Sequence, residues 1–346
     1  MKKIGFYISI LLLCNAVQAQ DTQFSQYFSA SLFLNPAFAG VYNDPSLHMN
    51  HKRQAQGVDM INELTQVSFI FPVKPGGSHE RSMGGIGIMA YNERSGINGV
   101  FQNSAAFLTY AHNFKFGLLS SDILTLAVQA GYENRSLNFS SLAWGSQYNP
   151  FFGFDDTLPI PVTEFDNQKG TVIVNAGLMY YYNPNRNYLL YTFSAFSGFS
   201  ATNVNRPNKS FSVDNKSTEP MLLKYNGGVE AKFNKMYVTP SLLFLYLRGN
   251  VQFNAGMNFA YSPNQDRYRS RGSQLLFGAW YRFKDSYIFM GGVKFSSMAI
   301  RVSYDMNGKL FIGDRGVDIS QPAFEISIQY HISKNTGYRK ISNPLF

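Results

Sequence analysis

Residues 251–261 read Val-Gln-Phe-Asn-Ala-Gly-Met-Asn-Phe-Ala-Tyr. Every odd-numbered position is apolar, whereas positions 252, 254, 256 and 258 carry amides or glycine. Side chains of a β-strand point alternately to two faces, so this period predicts a strand with one apolar and one polar face. A tilted strand needs roughly nine to eleven residues to cross a bilayer, whereas soluble strands usually have about five or six. The length therefore favours a strand that spans a membrane.

The same alternation recurs along most of the chain, for example in residues 123–133, 225–233 and 324–330. It predicts about fourteen strands, near residues 46–57, 63–72, 83–94, 100–114, 122–138, 170–183, 187–198, 219–233, 236–248, 250–262, 273–283, 286–296, 298–307 and 321–333. Hydrocarbon offers no hydrogen-bond partner to an open sheet edge, so the sheet must close. The predicted fold is an all-β, antiparallel, transmembrane outer-membrane β-barrel with a short N-terminal segment that forms no strand.

Composition agrees with a chain that faces lipid. Of 346 residues, 16% are aromatic and 15% are charged, whereas average chains carry about 25% charged residues. After residue 20, no apolar run reaches the length of a membrane helix, which excludes a helical bundle. The single cysteine excludes a disulfide framework and a multi-cysteine zinc site. Outer-membrane lipid is therefore the first expected partner.

The start of the chain has the features of an export signal. Lys2 and Lys3 precede the apolar run 4–13, and Val17-Gln18-Ala19 supplies small residues at the cleavage site. We expect residues 1–19 to be a signal peptide that is removed, and the mature protein to be integral in the outer membrane of a Gram-negative cell. An exported chain does not meet nucleic acid, and its basic residues are scattered, so no nucleic-acid partner is expected.

The remaining chain divides into three parts. Residues 20–45 do not alternate, and they are too aromatic for a free linker. We expect this N-terminal segment to pack in or against the barrel. Residues 46–333 are predicted to form the barrel, and residues 334–346 are predicted to be a C-terminal tail.

The N-terminal segment carries two motifs. Gln23-Phe24-Ser25-Gln26-Tyr27-Phe28 is followed by Leu34-Asn35-Pro36-Ala37-Phe38-Ala39-Gly40. Together they resemble the opening of the PorP/SprF family of outer-membrane proteins, which belong to the type IX secretion and gliding-motility machinery of Bacteroidota. Weaker matches within strands are His51-Lys52-Arg53-Gln54, Gly85-Ile86-Gly87-Ile88, Ala130-Gly131-Tyr132 and Pro240-Ser241-Leu242-Leu243.

The resemblance implies a non-enzymatic component that supports export and cell-surface anchoring of a large adhesin or another secreted client. Its implied partners are the C-terminal domain of that client and periplasmic or outer-membrane components of the secretion system. Within the same family, the alternative is a structural barrel that links the outer membrane to the periplasmic secretion ring. An alternative from a different class is a passive or fatty-acid-type outer-membrane transporter.

Residue patterns indicate no catalytic site, cofactor or metal. His48 and His51 are three apart in a predicted strand, so they point to opposite faces and cannot share a metal. We expect both at the membrane interface. Gly84-Gly85-Ile86-Gly87 is not followed by a helix, so it does not read as a phosphate loop. Small residues that relieve crowding in the barrel explain it better.

Two sets of residues are candidates for function. The predicted loop at 151–159 contains Phe151, Phe152, Phe154 and Asp155, and aromatic anchors beside charge are typical of protein interfaces. The alternative is that this loop folds over the barrel mouth as a lid. Alternation also predicts a lumen lined by polar side chains, and both a plugged interior and a polar pore fit it. The expected lumenal residues are Glu133, Glu230, Asn254, Asn258, Arg301, Asp305 and Glu325.

Overall fold

The computed structural model describes most of the chain after residue 22. The described residues are 23–55, 60–74, 82–116, 122–138, 142, 144–149, 151–155, 157–158, 167–182, 193–211, 217–263, 273–295, 297–307 and 322–332. The signal peptide predicted over residues 1–19 and the tail predicted over residues 334–346 lie outside the described residues.

The described chain contains two short α-helices followed by strands. The helices are α1 (Ser31–Leu34) and α2 (Phe38–Val41). The strands are β1 (Ser46–Ala55), β2 (Met60–Val73), β3 (Gly84–Ile97), β4 (Phe101–Phe116), β5 (Asp122–Leu137), β6 (Tyr148–Asn149), β7 (Gly153–Phe154), β8 (Gln168–Tyr182), β9 (Phe193–Thr202), β10 (Leu222–Phe233), β11 (Met236–Leu247), β12 (Asn250–Tyr261), β13 (Gln274–Arg282), β14 (Ser286–Phe295), β15 (Met298–Asn307) and β16 (Ala323–His331).

Within the described residues, fourteen of these strands form one closed antiparallel barrel, which confirms the predicted fold. Each barrel strand pairs with the next one along the chain, β5 pairs with β8, and β16 closes the barrel on β1. Strands β6 and β7 form a separate hairpin between β5 and β8. A 3-10 helix over Gly145–Gln147 lies between β5 and β6. Among the described residues, no helix is both long and apolar enough to cross a bilayer.

The antiparallel order gives the barrel two distinct ends. We call the end at which β1 begins and β16 finishes the terminal end. The connections 138–167, 203–221 and 308–322 lie at the opposite end, which we call the loop end. The described barrel strands agree with the predicted ones to within three residues at each end, except at β9, and the short strands β6 and β7 were not predicted. The prediction over 187–198 is wrong at its end, because β9 pairs with β10 as far as Thr202. Small residues in 194–201 weakened the alternation there.

Alternation along the strands separates an outer face from the lumen. On the outer face, Val128, Phe253 and Met257 are exposed, whereas their neighbours Gln129 and Asn254 are buried in the interior. The largest cluster of buried apolar residues lies inside the barrel, where the N-terminal segment meets side chains from most of the strands. The hydrophobic core of this protein is therefore in the lumen.

Candidate functional site

Residues 23–42 fill the lumen and form what we call the plug. Its side chains are almost all buried. Of the motif residues, Gln23 is half-buried and the others are buried, namely Phe24, Ser25, Gln26, Tyr27, Asn35, Pro36, Ala37 and Gly40. The plug has no strand and only two helices of four residues each. Such a short segment cannot satisfy its own backbone, so the barrel wall must supply hydrogen-bond partners.

One carboxylate of the wall binds two consecutive plug amides. Glu325 on β16 accepts hydrogen bonds from the backbone nitrogens of Ser25, at 2.6 Å, and Gln26, at 3.2 Å. On the neighbouring strand β15, Asp305 accepts a hydrogen bond of 2.5 Å from the Ser25 hydroxyl. Bonds of this kind to charged acceptors are stronger than neutral ones.

Two buried cations balance these carboxylates. Lys52 Nζ lies 3.6 Å from Asp305 Oδ2 and donates to the backbone oxygen of Gln23 at 2.7 Å. Arg282 lies 3.5 Å from the same Asp305 oxygen and donates to the Ser25 hydroxyl at 3.3 Å. Removing one member would leave another charge buried and unpaired, which is costly. We call the group of Ser25, Gln26, Lys52, Arg282, Asp305 and Glu325 the latch.

The amide of Gln26 completes the latch. Its Nε2 donates to Ser303 Oγ at 3.1 Å and to the backbone oxygen of Glu325 at 3.2 Å, and its Oε1 accepts from Ser327 Oγ at 2.7 Å. Both ends of this side chain are thus paired within the barrel. Ser25 and Gln26 of the first motif are therefore the two residues that the plug contributes to the latch.

The second motif seats the plug on the opposite wall. Asn35 Oδ1 accepts from the backbone nitrogen of Ala37 at 2.9 Å, while its Nδ2 donates to the backbone oxygen of Leu178 at 3.1 Å. Gly40 places its carbonyl against Asn113 Nδ2 at 2.7 Å. A side chain at Gly177 on β8 would overlap the Asn35 side chain. Glycine at this wall position therefore makes room for the plug.

The glycine run in β3 has the same purpose. A Cβ at Gly85 would collide with the backbone oxygen of Ala39, and a Cβ at Gly87 would press on Leu32. The crowding that these glycines relieve thus comes from the plug itself. Sequence alone identified the need for small residues but not the segment that required them.

Aromatic packing holds the middle of the plug. The rings of Phe28 and Trp280 stack with centroids 5.3 Å apart, and the Arg301 guanidinium lies 5.7 Å from the Phe28 ring centre. Arg301 also donates to Gln329 Oε1 at 2.6 Å. Tyr27 shares a hydrogen bond of 2.9 Å with Ser241 Oγ. These contacts pack the plug against side chains of β11, β13 and β15.

A cavity of about 370 Å³ lies between the plug and the loop end, and we call it the vestibule. Phe24, Tyr27 and Phe33 of the plug line one side. On its wall, Glu133 lies 2.8 Å from Lys209, a residue of the connection that follows β9. Glu133 also lies 2.8 Å from Arg135 and accepts from the Tyr91 hydroxyl at 2.7 Å.

The residues expected in the lumen fall into three groups. Glu325, Asp305 and Arg301 contact the plug, and Glu133 lines the vestibule. Asn254 is buried, and Glu230 and Asn258 are half-buried, all at positions that face inward by alternation.

Some lumenal residues were missed or misplaced from sequence. His48 was expected at the membrane interface, but it is fully buried inside the barrel, 3.2 Å from the backbone oxygen of Ser29. Arg282 was not singled out, and Lys52 was named only within a family match and not as a lumenal residue. Lys52 lies two residues after the buried Asn50 on β1, and Arg282 lies two residues after the buried Trp280 on β13. Alternation along each strand therefore predicts that both side chains face inward.

The candidate interface residues lie outside the barrel wall, in the connection between β5 and β8. Phe151 and Phe152 are 90% and 88% exposed, and Phe154 is 52% exposed. They sit at the tip and on the second strand of the β6–β7 hairpin. Asp155 Oδ1 accepts hydrogen bonds from the hydroxyl and backbone nitrogen of Thr157. These two bonds lower the pKa of Asp155, so it is a charged residue that shapes its own turn.

The family of the chain follows from its sequence as a whole. Residues 16–330 match the family described as type IX secretion system membrane protein PorP/SprF. The chain belongs to the PorP/SprF family. In this PorP/SprF chain, the apolar outer face of the closed barrel meets lipid, as expected for a membrane protein. The two N-terminal motifs form its plug.

Solved structures share similarity with this PorP/SprF chain at low identity. The Pseudomonas putida toluene transporter TodX aligns with a TM-score of 0.44 and 10% identity, over 90% of this chain and 94% of TodX. A Pseudomonas aeruginosa FadL homologue gives 0.40 and 10%, over 88% and 94%. CdiB from Acinetobacter baumannii gives 0.43 and 9%, over 84% and 60%. None of these similarities bears on function. No curated protein sequence is significantly similar to the chain.

Proposed function

We propose that this protein is a non-enzymatic outer-membrane component of the type IX secretion machinery that supports export and cell-surface anchoring of a large adhesin or another secreted client. In this proposal, the client's C-terminal domain binds at the loop end of the barrel. Membership of the PorP/SprF family supports the assignment to the secretion system. The finer role rests on the geometry of the loop end.

The observation that carries the proposal is the exposed pair Phe151 and Phe152 at the tip of the β6–β7 hairpin. Aromatic side chains gain more from burial than most other residues, and they dominate binding energy at protein interfaces. The hairpin lies in a connection much longer than joining β5 to β8 requires. A protruding aromatic tip beside the charged Asp155 is suited to a protein partner.

The orientation that we propose puts this tip outside the cell. Outer-membrane barrels have short periplasmic turns and long extracellular loops. The long connections 138–167, 203–221 and 308–322 are all at the loop end, away from the start of β1 and the finish of β16. We therefore assign the terminal end to the periplasm and the hairpin to the cell surface, where a secreted client would be held.

The plug supports an anchoring role over that of a permanently open transporter, because Phe28, Trp280 and the residues around them fill the lumen. The second candidate is a barrel that links the membrane to the periplasmic secretion ring. It is favoured by the connections at 74–83 and 262–273, which are longer than the two-residue turn between β10 and β11 at the same end.

The test replaces Phe151, Phe152 and Phe154 with Ser together. Each hot-spot aromatic contributes about 2 kcal/mol or more to binding, so the client should be lost from the cell surface and from the protein purified out of native membranes. Phe283→Ser is the matched control, since Phe283 is also exposed at the loop end, after β13. Immunoblots of outer membranes must show equal amounts of barrel.

Retained client in the triple variant would refute binding through this hairpin. If periplasmic secretion components are instead the proteins that co-purify, with or without the three Phe residues, the linking role replaces the anchoring role. Mass spectrometry of proteins purified in mild detergent distinguishes these outcomes.

A further inference from the structure

Several wall amides inside the barrel have no hydrogen-bond partner among the described residues. Within that part of the chain, neither the oxygen nor the nitrogen of the Asn226, Asn254 and Gln66 side chains makes a hydrogen bond, although all three residues are 1% exposed. Such groups normally find partners when they are buried, because losing hydrogen bonds to water is costly. Three unpaired amides in one lumen therefore need a physical explanation.

Their positions form two patches on opposite sides of the plug. Asn226 on β10 and Asn254 on β12 both lie beside Leu243 on β11, which packs in the plug core. Gln66 lies on β2, paired with Asn50 on β1. Strands β2 and β11 are on opposite sides of the fourteen-strand ring in the described barrel. Both patches face the plug without bonding to it.

The described hydrogen bonds to the plug come from other side chains, chiefly those of the latch and the Asn35 seat, with Ser241 on β11 bonded to Tyr27 and Lys224 on β10 bonded to the backbone oxygen of Phe33. Ser25 and Gln26 bond to β15 and β16, whereas Asn35 bonds to β8 and β9. A wall built only to enclose this plug would carry apolar residues at the two patches, as it does at Leu243 and Met179. Amide side chains at those positions are expected in a wall that contacts water.

We propose that the lumen is a gated passage for small hydrated solutes, closed in this structure by residues 23–42 and open when the plug leaves its seat. Once the plug leaves, water pairs with Asn226, Asn254 and Gln66, which offsets part of the energy lost from the latch. This passage is a function additional to client binding, and it does not depend on the Phe151–Phe154 hairpin.

The geometry of the lumen indicates what the passage carries. The vestibule already separates the plug from the loop end, so the plug is the layer that closes the described lumen. The wall around it presents amides and charges of both signs, with Lys52 and Arg282 beside Asp305 and Glu325. A wall of mixed charge selects weakly between ions, so neutral sugars and salts of similar size should pass alike.

A reversible cross-link tests whether the plug moves. Ser29 of the plug and Ser327 of β16 have their hydroxyl oxygens 3.3 Å apart, so Ser29→Cys with Ser327→Cys brings two thiols together. The single native cysteine is Cys14, which precedes the plug and the barrel. The oxidised double variant should be closed. Reduction should raise its conductance in planar bilayers to that of the Ser327→Cys single variant, because that substitution also removes the Ser327 bond to Gln26. The two single cysteine variants are the controls.

Weakening the latch should open the passage. Ser25→Ala with Gln26→Ala removes five side-chain hydrogen bonds and leaves the wall unchanged. The open fraction should rise at least about tenfold, since losing even one net hydrogen bond has roughly that effect. Swelling of liposomes in a monosaccharide solution should rise in parallel with conductance.

The decisive comparison combines all four substitutions. This variant should conduct when reduced and close when oxidised, which separates a moving plug from a leak through a damaged barrel. Conductance of the Ser25→Ala, Gln26→Ala protein equal to that of the wild type would overturn the proposal. Equal conductance of the four-substitution protein before and after oxidation would also overturn it.

Discussion

Gly177→Ala is the most direct test of how the plug is seated. The added methyl group would overlap the Asn35 side chain and lie 3.0 Å from the backbone nitrogen of Ala37. Asn35 must then move, breaking its bonds to Ala37 and Leu178. Two hydrogen bonds at about 1 kcal/mol each, with an overpacking cost of about 1 kcal/mol, give about 3 kcal/mol against the seated plug.

The expected readout is exposure of the plug with the barrel intact. A loss of about 3 kcal/mol raises the displaced population by roughly two orders of magnitude. Ser31→Cys, at a fully buried position in α1, should then react with a maleimide about a hundredfold faster in the Gly177→Ala background. Gly291→Ala is the matched control, because a Cβ at Gly291 on β14 would meet nothing within 4 Å. Equal labelling rates in the two backgrounds would refute the seating.

Two further predictions concern the wall. Met257→Arg places a charge on the outer face of β12 and should lower the stability of the inserted barrel by about 2–4 kcal/mol near the bilayer midplane. Normal heat-modifiable mobility of this variant on gels would contradict the outward orientation of Met257. Lys209→Met removes one of the three described partners of Glu133 and should destabilise the barrel by about 1.5 kcal/mol, because Arg135 and Tyr91 still pair with the carboxylate; urea unfolding in detergent measures this. The exposed Lys284→Met at the β13–β14 turn is its control, and equal unfolding midpoints would show that the pair contributes nothing.

Local patterning accounts for most of the barrel. The alternation in residues 251–261 predicted an outer face and an inner face, and the structure has Met257 outside and Asn254 inside. Strand pairing between chain neighbours also follows from sequence, because adjacent antiparallel strands need only short connections. The end of β9 was wrong because small residues such as Gly198 and Ser200 do not show which face they occupy.

The plug could be predicted only in part. Residues 20–45 lack alternation and are rich in aromatics, which predicted a segment packed in or against the barrel. The choice between the lumen and the outer wall depends on contacts across some 300 positions of sequence, such as that of Ser25 with Glu325. No local pattern encodes a contact of that separation.

The sequence by itself determined the class of protein and the closed, membrane-spanning barrel, because these follow from the period and length of each strand and from the need to satisfy every backbone group in lipid. Only the tertiary structure decided that residues 23–42 pack inside the lumen, that the QFSQY motif at 23–27 binds Asp305 and Glu325, and that Phe151 and Phe152 protrude. A lumenal polar residue has the same alternation whether it faces water or a plug. The difference lies in which distant residues meet it, and that is fixed when the barrel closes.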